Sequence, residues 1–223
     1  MPKPVSLPSR RLHDIHARLL AHRGARHWWP ADTPFEIMVG AILTQNTAWR
    51  NVERAIANLK AADALSPEAI LAAPPETLAD WLRPSGYFNV KARRLRNYCQ
   101  WYQDNGGFQG LKTWKTAPLR AAVLSVNGVG PETADDIVLY AFDRPVFVID
   151  TYTRRIFSRL GLIKGDEPYE TLRAAFEQSL GPDAPLFNEY HAQIVGLGNQ
   201  TCRPKPLCGK CPLSGLCPAS AAG

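Results

Sequence analysis

Apolar residues recur at helical spacing through almost the whole chain. Leu12, Ile15 and Leu19 stand three and four positions apart in "RRLHDIHARLLAHR", which predicts an amphipathic helix near the start. After "ADTP" the long apolar segment "FEIMVGAILTQNTAWRNVERAIANLK" reads as helical. "SPEAILAA" and "PPETLADWLRPSG" follow, each opened by a capping residue or a proline. "NVKARRLRNYCQWYQDNGG" predicts a helix bearing three arginines and a lysine that stops at a glycine pair, and a loop to about Thr116 comes next. "APLRAAVLSV" and "PETADDIVLYAF" then flank the short connector "NGVG", a hairpin of two helices in which Pro131 suits the first helical position. "DTYTRRIFSRLGLI", "YETLRAAFEQSLG" and "LFNEYHAQIVGLGNQ" supply three more helices, the first capped by Asp150 or Thr151.

Alternating β-branched runs are scarce apart from "RPVFVID" at 144–150, so the pattern predicts an all-α fold. Residues 1–25 are expected to pack with the C-terminal helices, because a helix preceding a self-contained middle block needs a partner for its apolar face. With 223 residues the chain can bury roughly 70% of the surface its unfolded form exposes, so a metal is not needed merely to make a core.

Charge narrows the class of partner. The formal net charge is +6, and 18 arginines outnumber 8 lysines. Arginine forks onto phosphate oxygens, which makes a polyanion a reasonable partner, although an ordinary basic protein has the same balance. No apolar run approaches the roughly 18 residues of a membrane span, and the basic start lacks the apolar core of a secretion signal. The expectation is a cytosolic protein without membrane contact.

Four of the five cysteines lie in "CRPKPLCGKCPLSGLC": Cys202, Cys208, Cys211 and Cys217. Thiolates gathered in one loop of a chain without a secretion signal suit a metal centre better than disulfides. The spacing is open between a [4Fe-4S] cluster and zinc, although zinc sites usually use two Cys-x-x-Cys pairs and only one is present. Between the first two cysteines, Arg203 and Lys205 are stiffened by Pro204 and Pro206, a basic loop suited to phosphates. Cys99 sits inside a helix and reads as a small buried hydrophobe.

The combination of "NGVGPETADD", "VFVIDTYTRRI" and "CRPKPLCGKC" resembles the endonuclease III family of DNA glycosylases, in the helix-hairpin-helix superfamily. The likeness runs from about Thr33 to Cys217. It implies two lobes, a six-helix barrel over 26–144 and a discontinuous lobe of 1–25 plus 145–223 that carries an iron-sulfur cluster. It further implies base excision from double-stranded DNA containing a lesion, by a monomer in the cytoplasm, at a bacterial nucleoid.

Carried over position by position, the likeness makes Asp150 the carboxylate that stabilises an oxocarbenium-like sugar and orients water. Amides near Gly128 and Gly130 would hold a DNA phosphate. Gln45 matches the residue pushed into the space of an extruded nucleotide, and Tyr87 matches the wedge against the opposite strand. Tyr152 and Thr151 line the pocket, while Arg154 and Arg155 are expected to be solvated or to touch phosphate.

Two departures stand out. Five residues separate Cys202 from Cys208 where the family usually has six. Glu132 occupies the place where bifunctional members carry the lysine that forms a Schiff base, and a carboxylate cannot form an imine. The expected enzyme is therefore monofunctional, with Glu132 either ordering water or a base or serving as an ordinary first-turn glutamate. "AHRGARHWWP" together with the missing lysine resembles the bacterial 3-methyladenine branch of the superfamily, which implies alkylated purine as the leading substrate; aromatic faces there could hold a cationic base, although core packing is the ordinary job of most tryptophans. A uracil/thymine mismatch enzyme, a bifunctional lyase using a lysine such as Lys91, and a non-catalytic damaged-DNA-binding module are the alternatives.

Overall fold

The computed structural model describes residues 5–26 and 28–222; the part of the N-terminal lobe assigned to residues 1–4 lies outside them. All regular structure among these residues is helical. In chain order the helices are α1 (Ser9–Arg23), α2 (Pro34–Leu43), α3 (Trp49–Ala61), α4 (Pro67–Ala72), α5 (Pro75–Leu82), α6 (Phe88–Asp104), α7 (Gly107–Leu111), α8 (Thr116–Leu124), α9 (Pro131–Asp136), α10 (Thr151–Arg159), α11 (Tyr169–Leu180) and α12 (Ala184–Gln200). A π-helical turn, Ile137–Ala141, continues α9. Two compact units result: Trp29–Arg144, and Met1–Trp28 with Pro145–Gly223.

In the Trp29–Arg144 unit, α2 is the central element, with Phe35, Met38, Val39, Ala41, Ile42 and Leu43 all buried. It starts where it does because Thr33 Oγ1 accepts the Glu36 amide at 3.1 Å, while the Glu36 carboxylate reaches back to the Asp32 amide at 3.0 Å. These bonds occupy amides that the first helical turn cannot pair internally. Residues 35–60 are not one helix, contrary to the apolar pattern. Thr44 Oγ1 bonds Gly40 O at 2.6 Å, and Asn46 takes a left-handed φ of 53°, which turns the chain before α3 begins. That turn is what carries Gln45.

The expected loop before Thr116 contains the short α7, entered through Gly106 and Gly107 at φ 77° and 61°, values that glycine adopts without strain.

In the second unit, Leu12, Ile15 and Leu19 of α1 are fully buried. Tyr190 Oη of α12 donates to Leu12 O at 2.9 Å, and Ser179 of α11 donates to Leu7 O at 2.9 Å. Phe147, Phe157, Phe176 and Phe187 fill the centre, with the Phe147 and Phe176 rings stacked at 4.5 Å.

The β-branched run at 144–150 is extended but pairs with no strand. Side chains supply acceptors instead: the Phe147 amide donates to Glu177 Oε1 at 3.0 Å and the Ile149 amide to Tyr169 Oη at 3.3 Å. Val146 to Ile149 are buried, and the segment delivers Asp150 to the start of α10.

Candidate nucleic-acid interface and catalytic carboxylate

The hairpin turn joins α8 to α9 through Asn127–Gly130. Gly128 adopts φ 99°, and a Cβ there would lie 2.2 Å from Arg94 Cγ, so both backbone and packing require glycine. Gly130 has open space where a side chain would be. Val129 is buried and its amide bonds Val126 O at 3.0 Å, so the turn does not face outward as a whole. Among the described residues the amides of Gly128 and Gly130 have no acceptor. Two unspent donors on half-buried glycines, before a proline-opened helix, can receive an anionic oxygen. Glu132 is exposed on the first turn of α9.

Gln45 is fastened to this turn rather than lying on a helix surface. Its Nε2 donates to Gly128 O at 3.1 Å and to Thr133 Oγ1 at 3.0 Å, and Arg94 Nη1 donates to its Oε1. Tyr87 caps α6 at φ 46° with 72% of its surface exposed. Such a conformation is uncommon for an aromatic residue, and it holds the ring out of the core.

Lys91 lies on the same helix with 1% exposure, and its Nζ donates to Leu43 O at 2.9 Å and Ser85 O at 2.6 Å. Burial, assisted by the charge of Arg94, lowers its pKa to about 8. The amine considered for a lyase is thus spent on closing the ends of two helical segments.

Near the start of this unit, Trp29 lies 5.1 Å from both Trp49 and Tyr140 and packs on Gly40, where a Cβ would meet the indole at 3.1 Å. The half-buried Trp29 and Trp49 and the buried Tyr140 form an aromatic cluster that the sequence left between core and pocket.

In the other unit Asp150 caps α10. Its Oδ1 accepts the Thr153 amide at 2.6 Å and Thr153 Oγ1 at 2.7 Å, and His191 Nε2 of α12 stands 3.6 Å from Oδ2. Asp150 is 6% exposed and His191 5%. Burial on its own would raise the carboxyl pKa, but the His191 imidazole, with the Thr153 amide and hydroxyl, more than reverses that and holds it below the ordinary aspartate value. The site therefore contains an ionised, oriented carboxylate with one oxygen committed and the other facing a histidine. His191 escaped the sequence reading; its only trace there is a lone histidine in the mixed stretch "NEYHAQIV" of α12.

Tyr152 is half-buried, its Oη donating to Asn199 Oδ1 at 2.5 Å and its ring lying 5.1 Å beneath the Arg155 guanidinium. Arg154 and Arg155 are half-buried, so the solvated alternative of the expectation does not hold for them. Arg154 Nη1 donates to Gly165 O at 3.1 Å and Glu167 O at 2.8 Å, and Arg155 donates to Cys202 O at 2.8 Å and Gly198 O at 2.9 Å. Each closes a loop whose carbonyls lack helical partners.

Arg159, also unforeseen, bonds Cys202 Sγ at 3.3 Å, Arg203 O at 2.7 Å and Pro204 O at 3.0 Å. It fixes the basic loop, whose Arg203 and Lys205 side chains are exposed. Cys202, Cys208, Cys211 and Cys217 line one cavity of about 70 Å³. Burial raises the Cys211 thiol pKa, and the other three cysteines add to the rise. Among the described residues no group of three or more His, Cys, Asp or Glu side chains could hold a metal ion. Cys99 is fully buried, its pKa pushed up to about 12 by burial. No helix among the described residues is long and apolar enough to cross a membrane.

The chain is 48% identical over 203 residues, 90% of its own length and 92% of the relative's, to the Methanocaldococcus jannaschii protein named "Putative DNA repair glycosylase MJ1434". It is 29% identical to Thermotoga maritima endonuclease III over 196 residues, 87% of either chain. Relatives from both sources lend no support to a bacterial origin in particular. Among solved structures, the H. pylori 3-methyladenine DNA glycosylase MagIII bound to 1,N6-ethenoadenine aligns with TM-score 0.76 and 30% identity, covering 87% of this chain and 98% of that one. A non-covalent endonuclease III–DNA complex aligns with TM-score 0.82 over 97% of this chain and 98% of that one, at 22% identity, a likeness of fold. The family profile described as HhH-GPD superfamily base excision DNA repair protein matches residues 39–182, and the chain belongs to that family of DNA glycosylases.

Proposed function

We propose that the protein is a monofunctional glycosylase that hydrolyses the N-glycosidic bond of a damaged or mispaired base in duplex DNA, with alkylated purine as the leading substrate. The observation that carries the reading is Asp150, a buried carboxylate held ionised at the first turn of α10 while Glu132 stands where a lyase needs an amine. The MagIII likeness and the Trp29, Trp49 and Tyr140 rings favour a cationic purine, which aromatic faces attract.

The steps follow from the groups available. The nucleotide leaves the stack at a cost of a few kcal/mol, smaller when its pairing is already damaged. The Gly128 and Gly130 amides take a backbone phosphate, Gln45 fills the emptied space, and Tyr87 presses on the opposite strand. The bond from C1′ to the base nitrogen breaks with its electron pair going to the base, and Asp150 stabilises the positive charge left on the sugar. Water then adds its oxygen to C1′ and loses a proton to solvent or the departing base. Tyr152 borders the sugar-facing side of α10, and Glu132 orders water or a polar edge of the base.

The DNA-facing elements belong to the lobe read as 26–144, and Asp150 to the lobe of 1–25 plus 145–223. Cys202, Cys208, Cys211 and Cys217, which line one cavity, would be the residues to hold a [4Fe-4S] cluster, with zinc as the alternative. When bound, such a cluster would supply four metal–thiolate bonds that hold Arg203 and Lys205 towards phosphates. The partner is lesion-bearing double-stranded DNA, bound by a monomer.

The test is a panel of duplexes, each with one lesion, scored for strand breaks with and without alkali. Breaks only after alkali, greatest at an alkylated purine, are the expected result. Breaks without alkali, accompanied by a borohydride-trapped adduct, would refute monofunctional chemistry, and no release from any lesion would refute catalysis.

A further inference from the structure

We infer that Arg94 is a positioning residue for Gln45, and that the two side chains with the hairpin turn form a single clasp that engages DNA as a unit. The inference rests on the reading of Gln45 as the side chain that enters the space of an extruded nucleotide.

The clasp is built from α6. Lys91, Arg94 and Asn97 follow one another at intervals of three, so they are neighbours on one helix surface. Lys91 Nζ holds Leu43 O, the end of α2, and Arg94 Nη1 holds Gln45 Oε1 two residues further on. Asn97 Nδ2 donates to Asn127 O at 3.2 Å, at the start of the hairpin turn. A single row of side chains thus ties the turn that carries Gln45 to the turn that carries the unspent amides.

Arg94 is the member that touches both. Its aliphatic stem lies across Gly128, and its guanidinium accounts for the Gln45 carbonyl. Gln45 Nε2 then has its two hydrogens on Gly128 O and Thr133 Oγ1, so all the main hydrogen-bonding capacity of the amide is used. The guanidinium, which can only donate, and the Gly128 carbonyl, which can only accept, require the same amide orientation, and Arg94 holds the Oε1 end of it while the hairpin holds Nε2.

Three measurements test this. Arg94→Met keeps an unbranched stem over Gly128 and removes the guanidinium. In DNA-free protein it should move the Gln45 side-chain amide resonances, together with the Gly128 amide. On a duplex with a tetrahydrofuran abasic analogue next to 2-aminopurine, Arg94→Met and Gln45→Ala should each weaken binding and lower the fluorescence gain, by about tenfold. The double variant should be no worse than the weaker-binding single one, the non-additivity of residues that act through each other. The slope of log affinity on log salt should stay unchanged in Arg94→Met.

Additive losses overturn the clasp, and a salt slope smaller by about 0.9 makes Arg94 a phosphate contact instead. Unmoved Gln45 resonances overturn it without reference to DNA. Moved resonances with Gln45→Ala binding like the parent overturn the role of Gln45 in DNA, and the positioning role of Arg94 falls with it.

Discussion

His191 Nε2 stands 3.6 Å from Asp150 Oδ2, and neither residue exposes more than 6% of its surface. A buried carboxylate without compensation would take up a proton, and burial is the largest single influence on Asp150. Its depressed pKa is therefore produced by the neighbours: the imidazole on one oxygen, and the Thr153 amide and hydroxyl on the other. Helix capping and readiness for chemistry are the same arrangement here, because the bonds that close the N-terminus of α10 also keep the group ionised.

Asp150→Asn separates the two roles. Asparagine caps helices about as well as aspartate, so the melting temperature should change little, within about 1 kcal/mol of stability. Base release should fall at least about a hundredfold, the scale of losing one electrostatic partner of the transition state, while affinity for an abasic duplex is retained. Undiminished single-turnover release from the susceptible duplex would remove Asp150 from the mechanism.

His191→Gln should raise the Asp150 pKa, since burial would then act with less opposition. A group whose folded pKa is depressed stabilises the native state above its unfolded value near 3.9 and loses that contribution as pH falls through the folded value. In the variant both the loss of stability and the acid limb of base release should move to higher pH. The pH profile of single-turnover release, alongside acid unfolding, measures this; coincident acid limbs would show that the imidazole does not govern the carboxylate.

Tyr87→Ala tests an exposed ring. With 72% of its surface in water, the side chain contributes little burial, and its loss should leave stability within about 0.5 kcal/mol. Replacing the left-handed tyrosine with alanine neither removes nor adds a capping bond. Affinity for an abasic duplex should nevertheless drop by roughly 1 to 3 kcal/mol, the worth of stacking an aromatic ring on a base. Equal affinity for parent and variant would leave the ring without a role in DNA.

What the sequence disclosed followed physical locality. Helix starts rest on contacts within three or four residues, so Pro131 and the start of α10 at Asp150 or Thr151 could be placed from their neighbours alone. The break at Thr44–Ala48 could not, because Ile37 to Leu43 is apolar on every face and its periodicity carries no end signal. Partners distant in sequence were invisible for a similar reason: Gln45 meets Gly128 across 83 residues, and Arg155 meets Cys202 across 47. The hairpin and the cysteine loop were legible as motifs. That Arg154, Arg155 and Arg159 serve carbonyls and a thiol depends on tertiary packing, which spacing does not encode.

Lys91→Met addresses whether the buried amine is structural. The Nζ group donates to Leu43 O and Ser85 O, and methionine fills similar volume with no donor, leaving two buried carbonyls unmatched. Each such loss costs about 1 to 3 kcal/mol, partly offset because a charge is no longer buried, so a net destabilisation of about 2 kcal/mol at pH 7 is expected. The pH dependence has a definite sign. Between about 8, the folded value, and the unfolded value near 10.4, the unfolded chain holds a proton on Lys91 that the native state has shed. Stability of the parent therefore rises across that window relative to the variant, and the deficit of Lys91→Met should widen as pH increases from 8 to 10. Chemical denaturation of both proteins at pH 7, 8, 9 and 10 measures the gap. A constant gap would mean that Lys91 titrates as it does in water, and an unchanged parent-like stability at every pH would remove the amine from the closure of α2.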